Sequence, residues 1–116
     1  MSVSLSRFRT PNTEGSFVQY KSRYENFIGG EWVAPVGGEY FDNPSPVDGK
    51  VFTRVPRSKK EDIDLAVRKA HEAREKWGKT PVAKRSRILL QIADRIEENR
   101  EMLALSETWD NGKPIR

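Results

Sequence analysis

Apolar residues come in two different rhythms along this chain, and the rhythm changes near residue 57. Before it, short apolar pairs are separated by glycine and proline. Phe27-Ile28 and Trp32-Val33 flank Gly29-Gly30-Glu31. Two glycines between apolar pairs predict a tight hairpin, because both accept positive φ. Tyr40-Phe41 begins a further strand, closed by Asn43-Pro44-Ser45-Pro46, and Asp48-Gly49 makes a turn. Lys50-Val51-Phe52-Thr53-Arg54-Val55 alternates polar and apolar, as a half-buried strand does, and Pro56 ends it.

After residue 57 the spacing becomes helical. Ile63, Ala66, Val67, Ala70, Ala73 and Trp77 fall three and four apart and give one alanine-rich stripe. Ser58-Lys59-Lys60-Glu61 reads as a capping box that opens this helix over 58–77. Glu61, Asp62 and Asp64 suit the positive end of its dipole, and Gly78 is expected to stop it. Thr80-Pro81 predicts the cap and first position of a second helix, with Ile88, Leu89, Ile92, Ala93 and Ile96 on its apolar face. Asn99 is expected to break it and to cap a third helix through Met102, Leu103, Leu105 and Trp109, ended by Asn111-Gly112 and followed by Pro114. Trp32, Trp77 and Trp109 read as core anchors. Residues 1–23 carry turn residues and no lasting period. They read as an extended arm, disordered alone or ordered by a partner subunit.

Composition narrows the function classes. The 116 residues are 35% hydrophobic, with a mean hydropathy of -0.78, which is lean for a self-sufficient core. No run approaches the roughly 20 apolar residues of a membrane span, and Met1-Ser2-Val3-Ser4-Leu5-Ser6 lacks the layout of a secretory signal. A cytoplasmic protein with no membrane partner is expected. The chain has 21 basic and 17 acidic residues, net +4, but most bases are interleaved with acids, as in Arg95-Ile96-Glu97-Glu98. Solvated helix faces explain that pattern better than a phosphate-binding stripe, so no nucleic-acid partner is expected. The basic exception is the arm, with Arg7, Arg9, Lys21 and Arg23. There is no cysteine, which excludes thiolate catalysis and zinc–thiolate sites within these residues. His71, alone beside the apolar stripe, reads as a surface histidine. Glu97, Glu98 and Glu107 read as solvated or salt-bridged charges.

The combination of short motifs resembles the start of NAD(P)-dependent aldehyde dehydrogenases. The residues that carry the resemblance are Phe27-Ile28-Gly29-Gly30-Glu31-Trp32, Asn43-Pro44, Asp48-Gly49 and Glu61-Asp62-Ile63-Asp64 before Ala66-Val67. Trp77, Arg87-Ile88-Leu89, Ala93-Asp94-Arg95-Ile96-Glu97 and Glu107-Thr108-Trp109-Asp110-Asn111-Gly112-Lys113-Pro114 complete them. Order and spacing agree from Tyr24 to Arg116. The Tyr24-Glu25-Asn26-Phe27 opening and Glu107-Thr108-Trp109-Asp110 look most like the bacterial acetaldehyde dehydrogenases. The resemblance implies an α/β fold: residues 24–116 as short antiparallel strands and two to three helices at the periphery of a Rossmann-like cofactor domain, after the arm 1–23. It implies a longer enzyme, a homo-oligomer using NAD or NADP to oxidise a small aliphatic aldehyde to its acid. In that reaction a cysteine thiolate attacks the carbonyl, hydride passes to the nicotinamide, and water activated by a glutamate releases the acid.

None of those catalytic groups matches a position in these 116 residues. The chain alone is therefore expected to be an inactive N-terminal portion whose partner is the remainder of the enzyme. A stand-alone binding or assembly module is the alternative. No cofactor-binding residue is expected here either. Gly29, Gly30, Gly37 and Gly38 are hairpin and loop glycines, not a G-x-G-x-x-G turn between strand and helix. One site carries over from the resemblance: a monovalent cation held by main-chain oxygens at Phe41 and Asp42 and by Asp110, oxygen donors as hard cations require. The simpler reading of Asp110 is a carboxylate in a helix-end turn.

Overall fold

The computed structural model describes residues 8–115, so the first seven residues of the arm, Arg7 included, and Arg116 lie outside the described residues. Four strands precede three helices: β1 (Asn26–Ile28), β2 (Glu31–Val33), β3 (Tyr40–Pro44), β4 (Val51–Pro56), α1 (Lys60–Gly78), α2 (Val82–Glu98) and α3 (Arg100–Asn111). The strands form two separate antiparallel hairpins, β1–β2 and β3–β4. In the first, Phe27 faces Trp32 and Ile28 faces Glu31, which leaves Gly29 and Gly30 as a two-residue loop. Their φ values of 65° and 88° are why glycine is needed at both positions. In the second, Asn43 faces Thr53 and Pro44 faces Val51, so Phe52 is an extra residue at an irregularity.

The described part of the arm does not extend into solvent. The Arg54 N–H donates to the Ser22 carbonyl at 3.1 Å and the Tyr24 N–H donates to the Arg54 carbonyl at 2.9 Å, adding a short parallel bridge to β4. The Thr53 hydroxyl donates to the Lys21 carbonyl at 2.8 Å. The Tyr20 ring lies 4.7 Å from that of Phe52, and Val18 is buried. Apolar contact and backbone pairing together order a segment that has no period of its own.

Helix punctuation differs in register from the sequence expectation. The N-cap position of α1 is Lys59, not Ser58, with no side-chain cap of its own, and the acid that accepts the N-cap amide is Asp62, not Glu61. The Asp62 carboxylate accepts the Lys59 N–H at 2.8 Å and also the Val36 N–H at 2.8 Å. It thereby joins the loop after β2 to the start of α1. Ser58 is drawn instead into a pair with Asn26, whose side-chain amide donates to its hydroxyl at 2.8 Å. Gly78 is the last residue of α1 rather than its stop; Lys79 ends the helix, and the Thr80 hydroxyl donates back to the Lys76 carbonyl at 3.0 Å. Thr80 thus closes α1 and does not cap α2, which starts behind Pro81 with no side-chain cap. Asn99 breaks the helical run and stands at the N-cap position of α3 as expected, but its side chain makes no capping bond there; its amide donates to the Arg95 carbonyl at 2.8 Å and finishes α2. Gly112, at φ 76°, ends α3 in the left-handed conformation, with its N–H on the Thr108 carbonyl at 2.8 Å.

Among the described residues, the prolines aside, Val18 and Leu105 are the apolar side chains that are buried. Each such side chain contributes about 1.5–3 kcal/mol by leaving water. Trp32 and Trp77 are 60% and 48% exposed, which corrects their reading as core anchors; Trp109 is half-buried. The stripes of α1 and α2 face solvent, with Ile63 58% and Leu89 67% exposed. The radius of gyration is 18.1 Å, against about 13 Å for a compact domain of this length. The elements are formed, but few are stacked on one another.

α3 is the exception. The Ser45 hydroxyl, buried, donates to the Trp109 carbonyl at 2.5 Å, and the Tyr20 hydroxyl donates to the Ser106 carbonyl at 3.2 Å. Two outcomes follow. Ser45→Ala removes a buried partner of the Trp109 carbonyl and should cost about 1–3 kcal/mol, read as a lower urea midpoint at unchanged slope. An unaltered midpoint would show that this contact does not hold α3. The second concerns pH. The Lys59 and Val36 amides hold the Asp62 carboxyl below its usual range. A carboxyl depressed in the native state stabilises it fully above the unfolded value of about 4, and that stabilisation fades as pH falls toward the lower folded value. The urea midpoint should therefore drop on acidification below about pH 4, and Asp62→Asn should flatten that part of the profile. An equal acid slope in both proteins would rule the clamp out.

Candidate functional site

The end of α3 lies against the β3–β4 hairpin, where Asp110 bonds to Asn43, the residue after the candidates Phe41 and Asp42. β3 delivers Phe41 and Asp42, and the irregularity after Asn43 turns the chain into the loop of Ser45. α3 delivers Asp110 one turn after Ser106. The Asn43 side-chain amide donates to Asp110 Oδ1 at 2.8 Å. Gly112 sits so close that a Cβ there would stand 3.2 Å from Pro46 Cγ, and its φ already favours glycine. Side-chain bonds to Asp110 and the Trp109 carbonyl, and a tight Gly112–Pro46 approach, fix the helix end on the hairpin.

The three candidate cation ligands are neighbours but not alike. Asp110 faces Asn43. Asp42 sits opposite Arg54 in the ladder and pairs with it, Oδ1 to Nε at 3.1 Å, both largely exposed. The Phe41 ring lies outward under the Arg57 guanidinium, 5.1 Å from its centroid. The side chain of Asp42 is thus paired with Arg54, whereas that of Asp110 faces a neutral amide. Among the described residues there is no group of three or more His, Cys, Asp or Glu side chains placed for a metal ion.

A groove of about 390 Å³ runs beside Asp110, lined by Tyr20, Tyr24, Asn43, Phe52, Ser106 and Glu107 among others. Burial raises the Tyr20 phenol above its ordinary value of 10.0, and the negative charge of Asp110 acts in the same direction. Glu107 accepts the Asn111 side-chain amide at 2.9 Å, while Glu97 pairs with Arg100 and Glu98 with Arg95, as their reading as salt-bridged surface charges expects. His71 is exposed on α1. Gly29 and Gly30 form the first hairpin, and the Gly38 N–H closes a turn on the Pro35 carbonyl at 2.8 Å. None of these glycines lies between a strand and a helix N-terminus.

Nothing in the local sequence pattern marks Asn43, Ser45 or Tyr20 as contacts of α3. Asn43-Pro44-Ser45-Pro46 was legible as a strand stop, since the prolines forbid further pairing. That its two polar side chains reach an element more than sixty residues away had no signal in the local pattern.

Residues 32–116 match the model of the aldehyde dehydrogenase family. An aldehyde dehydrogenase of Deinococcus radiodurans is 62% identical over 109 residues, which are 94% of this chain and 21% of that protein. A long-chain-aldehyde dehydrogenase of an Acinetobacter species is 63% identical over 106 residues, 91% of this chain and 21% of that protein. A solved aldehyde dehydrogenase of Bacillus cereus, in complex with NAD+, superposes with a TM-score of 0.76 at 40% identity, covering 79% of this chain and 19% of that one. The chain spans about a fifth of the length of the curated relatives it matches. Two hairpins followed by three helices, carrying these motifs in this order, place the chain in the aldehyde dehydrogenase family.

Proposed function

We propose that this chain forms the outer, N-terminal part of the cofactor-binding domain of an NAD-dependent aldehyde dehydrogenase that oxidises a small aliphatic aldehyde to its carboxylic acid. The observation that carries the proposal is the uncovered apolar surface of α1 and α2 in a chain of this family. Ile63, Val67, Leu89, Ile92 and Ile96 repeat at core spacing yet stand half or more exposed. A regular apolar face is maintained where something packs on it. The rest of such an enzyme would supply both that cover and the catalytic cysteine, which this sequence lacks. The NAD+ bound by the Bacillus cereus relative supports NAD as the cofactor, and the relatives' names support an aldehyde substrate. In the proposal the whole enzyme is a cytoplasmic homo-oligomer.

Intact-mass measurement of the endogenous product, captured with an antibody against residues 58–77, tests this reading. The expected mass is four to five times 13.3 kDa, the ratio set by the 21% coverage, in a band that oxidises aldehyde with NAD+. A product of 13.3 kDa would overturn it in favour of a stand-alone binding or assembly module.

The same proposal assigns the carbonyls of Phe41 and Asp42 and the carboxylate of Asp110 to a monovalent cation. Asp110→Asn keeps an acceptor for Asn43 and removes the charge. In the whole enzyme, sodium or potassium at about 0.1 M should raise the thermal midpoint relative to choline at equal ionic strength, and Asp110→Asn should abolish the difference. Equal midpoints in sodium, potassium and choline would exclude the site.

A further inference from the structure

The net charge of this chain is concentrated at one corner. Between residues 74 and 87 there are six bases, Arg74, Lys76, Lys79, Lys84, Arg85 and Arg87, against the single acid Glu75, for a net +5 beside +4 for the entire sequence. Lys79 pairs with Glu75 at 2.5 Å. The other five bases have no ion-pair or hydrogen-bond partner among the described residues, and all but Arg85 are exposed. The Arg85 Nε is buried without a hydrogen-bond partner. α2 begins here with no acid in its first turn and no side-chain cap, so its positive dipole end adds to the same potential. That placement of cations opposes helix stability, and nothing within the described residues offsets it.

The corner also carries apolar groups. Val82 is 71% exposed and Trp77 48% exposed, on either side of the turn between α1 and α2. Those two helices do not pack along their lengths. Unpaired cations around an exposed tryptophan and valine match an anionic lipid surface, which attracts Lys and Arg and accepts indole at headgroup level. Nucleic acid fits less well, because Trp77 is the single aromatic residue in the patch.

We infer that the α1–α2 corner docks this protein peripherally on anionic phospholipid, with Lys76, Lys84, Arg85 and Arg87 at headgroup phosphates and Val82 and Trp77 at the interface. The sequence expectation of no membrane partner rested on the absence of a spanning segment; lying on a surface needs none. Trp77 also ends the α1 stripe that the proposed enzyme covers, so the inference requires the charged corner itself to stay outside that cover.

Flotation of the 116-residue chain with vesicles tests it. Phosphatidylcholine vesicles containing about one-third phosphatidylserine should retain the chain at least about tenfold better than pure phosphatidylcholine, and added salt should weaken retention. Lys84→Gln with Arg87→Gln should lower retention about tenfold at unchanged helical circular dichroism, because both residues are exposed and unpaired. Lys76→Gln, on the other helix, should lower it too. A blue-shifted emission on vesicle addition should be lost in Trp77→Phe. Equal retention on neutral vesicles, indifference to these substitutions, or tighter binding to single-stranded RNA than to anionic vesicles would overturn the inference.

Discussion

The hydroxyl of Ser45 on the carbonyl of Trp109 joins parts of the chain more than sixty residues apart. With Asn43 on Asp110 and Tyr20 on Ser106, it brings the last helix back onto the second hairpin and the arm. Leu105 and Val18 are buried beside that seam. In water each bond contributes little net, since both partners could bond to solvent instead. Here they act in concert with apolar burial, and the Ser45 hydroxyl is already out of water, so its loss cannot be made good by solvent. The Asp62 carboxylate performs the equivalent task at the other end, tying the loop after β2 to α1 through two backbone amides.

Between those two fixed points little is cross-linked. α1 and α2 are well-formed helices whose apolar faces meet solvent. Local encoding explains why they hold their shape. Hairpin glycines, a helix-start acid, back-bonding Thr80 and Asn99, and a left-handed Gly112 each specify an element within a few residues. Spaced ion pairs such as Lys60–Asp64 and Lys69–Glu72 add small local increments at the helix surface. The same encoding accounts for superposition on a whole aldehyde dehydrogenase at a TM-score of 0.76, although only a fifth of that protein is represented. Shape at this level comes from short-range rules, whereas burial comes from long-range packing.

That division also separates what was legible in the sequence from what was not. The Gly29-Gly30 turn and the stop at Gly112 are legible because a positive φ selects glycine, and the break at Asn99 because a short amide can bond back to the preceding turn. The start of α1 was read one residue early because Ser58-Glu61 and Lys59-Asp62 both offer the right spacing at a helix start. The competition was decided outside the helix: Asn26 holds Ser58, and Val36 offers Asp62 a second amide. The exposure of Trp32 and Trp77 has a related reason. Periodicity reports that a face is apolar, and exposure depends on what lies across from it.

At the candidate site, the pattern supplied Asp110 and its neighbours in the hairpin but not their connections. Asp42 and Asp110 look interchangeable as carboxylates in a sequence. In the fold, a ladder position gives Asp42 an arginine, and a helix end gives Asp110 an asparagine. An arginine neutralises its partner, while a neutral amide leaves the charge of Asp110 in place next to a half-buried phenol. The uncompensated negative charge of this seam is therefore that of Asp110 and not that of Asp42.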